Sequence, residues 1–269
     1  MNILFKGYDF VYDGKSSISE KLKLFNIDGS AFDFVDSIPD KNLNLYHSNR
    51  QAKWRTPGTT VDDPLTFECE FILHDEEQDE YTKLNPVVAR NRLSSITHWL
   101  FDQTTFKKFQ ILTDDLRDLY FMAIMKDVKY FEDGGQVRGF KCTVVCDTVG
   151  AWEEKTIIKN VTDTSTFTIQ VLQDGIWEVA PKFIIDLNGT GVTIAVNGDE
   201  IELQNITQGA RVTIDTNTLI AKSSEGDELY ASGRFNKCFP NFRYGRNTIS
   251  IEGNCRVEIN YKMVRQVGC

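Results

Sequence analysis

Histidine is nearly missing from this chain: His47, His74 and His98 are the three in 269 residues. Histidine is the side chain that titrates near neutrality and the commonest metal ligand, so its scarcity removes most general-base and zinc arrangements. His98 stands beside Trp99 in a helical stretch and reads as a helix-surface or half-buried residue, His47 lies in a polar loop, and His74 precedes an acidic run. No serine or cysteine sits in a G-x-S-x-G elbow, and nothing raises the case for a spatially assembled Ser-His-Asp set. The glycines of EDGGQ and LNGTG read as turn glycines, because no phosphate loop follows a strand and opens a helix. The acidic run Asp75, Glu76, Glu77, Asp79, Glu80 lacks the turn glycine and alternation of a calcium loop and reads as solvated loop. The expectation is a protein with no catalytic residues, no metal and no cofactor.

Long apolar runs are also missing. No stretch approaches the roughly 18 consecutive apolar residues that a membrane helix needs. The opening MNILFKGYDFVYDG has no basic region followed by an apolar stretch and a cleavage site, so no signal peptide is expected. Basic excess is absent too: 39 acidic residues against 30 basic give a net charge of -9. Such a charge disfavours nucleic acid and anionic membranes as general partners.

The cysteines, six in all, make no disulfide framework and no C-x-x-C. Cys142 and Cys146 alternate with Phe140 and Val144 on one face of GFKCTVVC. Four residues of strand span about 13 Å, beyond the roughly 7 Å that a disulfide allows. Together with Cys69 in TFECEF they read as small core hydrophobes.

What is present is alternation. KLKLFNI places Leu22, Leu24 and Asn26 on one face, Leu65 to Leu73 form a strand, and the segment from Gly29 to Arg50 reads as loop with at most a short strand. FQILTDD and LYFMAIMKDVKYF read as strands around a turn at Asp114 and Asp115, and VRGFKCTVVCDTV returns after EDGGQ. One segment has helical spacing, NPVVARNRLSSITHWLFDQ. Asn85 can cap it, Pro86 suits its first turn, and Leu93, Ile96, Trp99 and Leu100 share a face opposite Arg90, Asn91, Ser94 and Ser95. Residues 1–149 therefore read as an α+β domain, one helix against a mostly antiparallel sheet.

Beyond Trp152 the helical period disappears. The strands TFTIQVL, KFIIDLNG, VTIAVNGD, EIELQ, ARVTIDT, TLIAK, NTISIEG and CRVEINYKMV are separated by turn signals, LNGTG and EGN among them. That rhythm predicts a β-sandwich over residues 150–269. The fold class is thus β-rich with two domains of different architecture. Trp152, Trp177 and Tyr230 can line a sugar-binding face or serve as core or inter-domain residues, and Phe239, Phe242 and Tyr244 of FPNFRYG suggest a contact surface or a packed loop.

The whole layout is similar to one family. The loop Trp54-Arg55-Thr56-Pro57-Gly58, the strand LTFECEFIL, the helix ending ITHWLF, the pair QILTDDLRDLYFMAIM, the closing GFKCTVVCDTVGAWE and the final NTISIEGNCRVEINYKMV come in its order. It resembles the distal tail protein (Dit) family of siphophage-type bacteriophages, over nearly the full length and without a large insertion. Where the family usually has a Gly-Arg-x-Gly-like element, this chain has Arg55-Thr56-Pro57-Gly58. The resemblance implies a structural hub at a phage tail tip or baseplate. Its N-terminal domain would build a homo-hexameric ring continuing the tail tube, through which DNA and the tape-measure protein pass. Its C-terminal domain would be a galectin-like sandwich. The implied partners are the tail tube protein, the tape-measure protein, the tail-associated protein and receptor-binding or baseplate proteins. The implied location is the virion, after assembly in the host cytoplasm. Trp54, Arg55, Pro57, Gly58, Arg90 and Ser94 are the candidate oligomer interface. The rival reading is a carbohydrate-binding module for host-surface recognition, with Trp152, Trp177, Tyr230 and Phe242 as candidate glycan or partner contacts. A cell-wall hydrolase is the third reading, and it lacks any catalytic constellation.

Overall fold

The computed structural model describes residues 8–27, 41–43, 59–61, 64–73, 90–114, 116–133, 136–172, 178–231 and 233–265. Of the residues singled out above, His47, Trp54, Arg55, Pro57, Gly58, His74, the acidic run 75–80, Asn85, Pro86 and Trp177 lie outside the described residues. The chain divides into two compact units, the second spanning Glu153–Arg265.

In the first unit β1 (Phe10–Tyr12) turns through Asp13 and Gly14 into β2 (Lys15–Ser16). Both turn residues have positive φ, 49° and 76°, the mirror-image turn that matches strand twist and that Asp-Gly favours. A 3-10 turn, Ser17–Glu20, leads to β3 (Leu22–Ile27). A separate pair follows, β4 (Lys41–Leu43) with β5 (Thr59–Val61). Then come β6 (Thr66–Leu73), α1 (Arg90–Phe101), β7 (Lys107–Ile111), β8 (Leu119–Asp133) and β9 (Gln136–Cys146).

The strands lie in the order β3-β6-β9-β8-β7-β1-β2, and their pairing is antiparallel. Tyr8, just ahead of β1, exchanges reciprocal backbone hydrogen bonds of 2.8 and 2.9 Å with Leu24 of β3. That single bridge brings the ladder back onto itself: β3, whose ladder partner is β6, gains the chain entering β1 as a second neighbour. Closure has no sequence signal, because it is made by one residue pair.

Alternation holds through the core. Phe67, Cys69, Phe71 and Leu73 of β6 and Phe140, Cys142, Val144 and Cys146 of β9 point inward, beside Phe10, Phe109 and Phe121. α1 buries Ile96, Trp99 and Leu100 and exposes Arg90, Asn91, Ser94 and Ser95, the division its spacing requires. Trp99 stacks on Phe10 at 5.9 Å and its indole N–H donates to the Tyr12 carbonyl at 3.0 Å. Each such buried aromatic is worth about 1.5–3 kcal/mol in transfer free energy. Gly139 lets β9 cross β6 closely: a Cβ there would meet the Phe71 carbonyl oxygen at 2.3 Å.

The second unit holds β10 (Ala151–Val161), β11 (Thr164–Val171), β12 (Lys182–Val196), β13 (Asp199–Leu203), β14 (Arg211–Asp215), β15 (Ile220–Ser223) and β16 (Gly245–Arg265). Two sequence readings change here. LNGTG and EGN are not turns, since KFIIDLNG and VTIAVNGD are one bent strand, β12, and NTISIEG and CRVEINYKMV are one strand, β16. The register between them shifts from Leu187 to Val192, where Gly253 has φ +135°. The glycines let both strands bend side by side, as at a β-bulge. β10 has no apolar alternation to mark it as a strand, since Glu154, Lys155 and Thr156 are exposed in succession and Ile158 is exposed as well.

The bend builds the sandwich. Before it, β12 pairs with β14, after it with β13, and β16 runs alongside through both halves. β11 pairs with the first half of β16. Phe183, Ile185, Ile194, Val212, Ile214, Ile251, Val257 and Ile259 fill one core between the layers. Buried Asn247 links two turns there: it accepts from Asn197 Nδ2 at 2.7 Å and the Arg243 N–H at 2.9 Å, and donates to the carbonyls of Arg243 and Gly245.

Candidate assembly surfaces

Two surfaces bear on function, one on each unit. On the first, α1 presents Arg90, Asn91, Ser94 and Ser95 outward while Trp99 and Leu100 hold its other face to the core. The candidate interface residues Arg90 and Ser94 lie four positions apart and so share that face. Arg92 turns back to donate to the Glu20 carbonyl, tying the helix to the 3-10 turn. Lys15 lies 4.9 Å over the Trp99 ring and pairs with Glu20. His98 pairs with Asp102 at the exposed end of the helix, with side-chain exposures of 81% and 58%.

On the second unit a polar face covers β14, β12 and β16. Asp186 accepts both arms of Arg211, at 2.6 and 3.0 Å, and Arg256 Nη1 at 3.2 Å. Arg256 also donates to Glu258, Asn260 donates to Glu258 at 3.0 Å, and Thr156 of β10 donates to Asn260 at 2.6 Å. The hydrogen bond from Arg211 holds the Asp186 carboxyl below its ordinary range, and that from Asn260, then Arg256, does the same for Glu258. Both carboxylates are ionised and matched by cations, so neither is a poised general acid. The sequence carries this network as alternate positions on three strands, Asp186, Arg211 and Arg256 falling in one cross-strand row. Only the register reveals it.

The four aromatic candidates separate. Phe242 is fully buried, packed edge-on against Tyr261 at 5.3 Å, so the contact role read for it is corrected: it is a core residue. Its place follows from the Val179–Phe242 bridge, which turns the FPNFRYG segment inward. Trp152 is half-buried and its indole N–H donates to Asp147 at 3.0 Å. Tyr230 is 47% exposed, yet its hydroxyl is engaged with the backbone of β15. Trp177 is outside the described residues.

Cys69, Cys142, Cys146 and Cys255 are buried in the cores, and Cys238 is half-buried. Burial pushes the thiols of Cys142 and Cys146 up to about 12, and Cys255 to about 11. Cys69 and Cys142 face each other across β6 and β9, a pairing that spacing could not show. Among the described residues no group of three or more His, Cys, Asp or Glu side chains could hold a metal ion. No helix among them is long and apolar enough to cross a membrane.

Comparison with curated protein sequences finds no match. Among solved structures, the crystal structure of the Dit protein of phage SPP1 is similar with a TM-score of 0.62 at 11% identity, covering 96% of this chain and 100% of that one. It is described as a paradigm of the hub adsorption apparatus in phages that infect Gram-positive bacteria. A chain of the phage p2 baseplate in its activated conformation aligns with a TM-score of 0.49 at 10% identity, over 97% of this chain and 98% of that one. The family described as phage tail protein N-terminal domain matches residues 5–148, and that described as phage tail C-terminal domain matches residues 151–261. With one family spanning the first half and the other nearly all of the second, this chain belongs to the phage tail proteins.

Proposed function

We propose that the protein is a structural hub of a phage tail tip or baseplate, a homo-hexameric ring that joins the tail tube to the tail-associated and receptor-binding proteins. The observation that carries this reading is end-to-end likeness. Both family matches and the fold of the SPP1 hub protein run through the two units with no large region left over. In this reading the N-terminal unit forms the ring and the sandwich carries attached proteins. The tape-measure protein and DNA pass through the lumen, and the net charge of -9 suits a channel that must not grip DNA. The exposed face of α1, with Arg90 and Ser94, is the proposed contact between copies. The protein would be assembled in the host cytoplasm and act in the virion. Of the residues that the carbohydrate-binding alternative would use, Phe242 is core and so cannot serve it.

Light scattering of the purified protein across a range of concentration tests the ring. A hexameric mass, or a monomer–hexamer equilibrium, is the expected outcome, and Arg90→Glu with Ser94→Glu should shift it toward monomer. A strict monomer at every concentration, with no rings by negative-stain microscopy, overturns it.

A further inference from the structure

Among the described residues β15 is the outermost strand on its side of the sandwich, with β14 as its ladder partner. In an antiparallel ladder the N–H and C=O of alternate residues point to the same side. On the side away from β14, the Ala221 N–H donates to the Tyr230 hydroxyl at 2.8 Å, and that hydroxyl lies 3.4 Å from the Leu219 carbonyl, to which it donates. An added strand would meet the same two groups, offering a carbonyl to Ala221 and an N–H to Leu219. One phenol oxygen, acceptor and donor together, therefore engages two backbone groups on the side where an added strand would lie.

The tyrosine is held there. Its ring meets Phe235 edge-on at 6.2 Å, and Phe235 and Leu229 are buried on either side of it in sequence. The segment is anchored by Asp227, whose carboxylate accepts from the Thr207 N–H and hydroxyl, the Ser223 hydroxyl and Arg234. What it covers is an apolar edge: Leu219 and Ile220 are 60% and 44% exposed. Lys222 is the one charged residue of the strand, and the strand has no proline, so little else discourages pairing. We propose that Tyr230 is an edge guard, its hydroxyl blocking the addition of a second copy's β15 to this sheet.

Tyr230→Phe keeps the ring on Phe235 and removes the blocking oxygen. Sedimentation velocity of the variant beside the wild type, over the same concentrations, should show species larger than any the wild type forms. The further change Ile220→Lys in that variant should abolish them by placing charge on the bared edge. Amide exchange of Ala221 should be slow in the wild type and about tenfold faster or more in the variant. Identical sedimentation of wild type and variant overturns the guard. So does unprotected Ala221 in the wild type, a measurement that holds even if the variant folds poorly.

Discussion

Gly191 shows how one hydrogen atom's worth of space shapes the sandwich. A Cβ at this position would lie 2.7 Å from the Leu203 carbonyl oxygen, a backbone atom that cannot step aside alone. Gly191→Ala should therefore cost about 1–3 kcal/mol of unfolding free energy, read as a lower urea midpoint. Asn247 is the polar counterpart. Its removal takes a partner from the Arg243 N–H, two carbonyls and the Asn197 amide at two partly exposed turns, so Asn247→Ala should cost about 0.5–1.5 kcal/mol in the same measurement. At the thiols, burial keeps Cys142 and Cys146 protonated far above neutrality. Alkylation of the native protein at mildly alkaline pH should spare both, and denaturant should expose them, as peptide mass spectrometry would read. Their inward placement was legible from alternation in GFKCTVVC. The demand for glycine at 191 was not, because the carbonyl that forbids a side chain comes from β13, a separate strand.

At the scale of elements, α1 carries the clearest sequence signal and the clearest consequence. Trp99→Ala removes the ring stacked on Phe10 and the hydrogen bond to the Tyr12 carbonyl. It should cost about 3–5 kcal/mol by chemical denaturation while the far-UV strand signal persists until unfolding. The face that this helix leaves exposed was read from spacing alone, because a period of 3.6 survives any packing partner. The bent strands β12 and β16 were read as four, because Gly and Asn in LNGTG and EGN are equally good turn and bulge formers. The choice between turn and bend lies in the partner strand: when two glycine-containing kinks face each other, the chain bends and continues. β10 fell below notice for the opposite reason, a strand whose outward residues outnumber its buried ones.

Across the whole molecule, ionisation ties the pieces together. Asp227, through the hydrogen bond from Ser223 first and then Thr207, and Asp186, through Arg211, are both held below the ordinary carboxylate range. A depressed folded value means that their contribution is complete above the unfolded pKa, about 4, and is lost as pH falls toward the folded one. The urea midpoint should thus be level from neutrality to mild acid and fall below about pH 4, with a shallower fall in Asp227→Asn. The alkaline limb has the opposite sign. Tyr12 and Cys142 are raised to about 12, mainly by burial, so the unfolded chain ionises first and stability drops as pH climbs toward that value.

The sequence by itself determined the scarcity of histidine, the antiparallel strand content, the inward and outward faces of α1, β6 and β9, and the resemblance to tail proteins. Each of these is a property of local period or composition. Tertiary structure alone decided the closing bridge between Tyr8 and Leu24, the shared bend of β12 and β16, and the row of Asp186, Arg211 and Arg256. It also decided between contact surface and packed loop for Phe242, which is core, and set the Tyr230 hydroxyl against β15. The physical reason is common to all of them: each depends on which atoms of distant segments come within about 3 Å, and register, not local period, sets that distance.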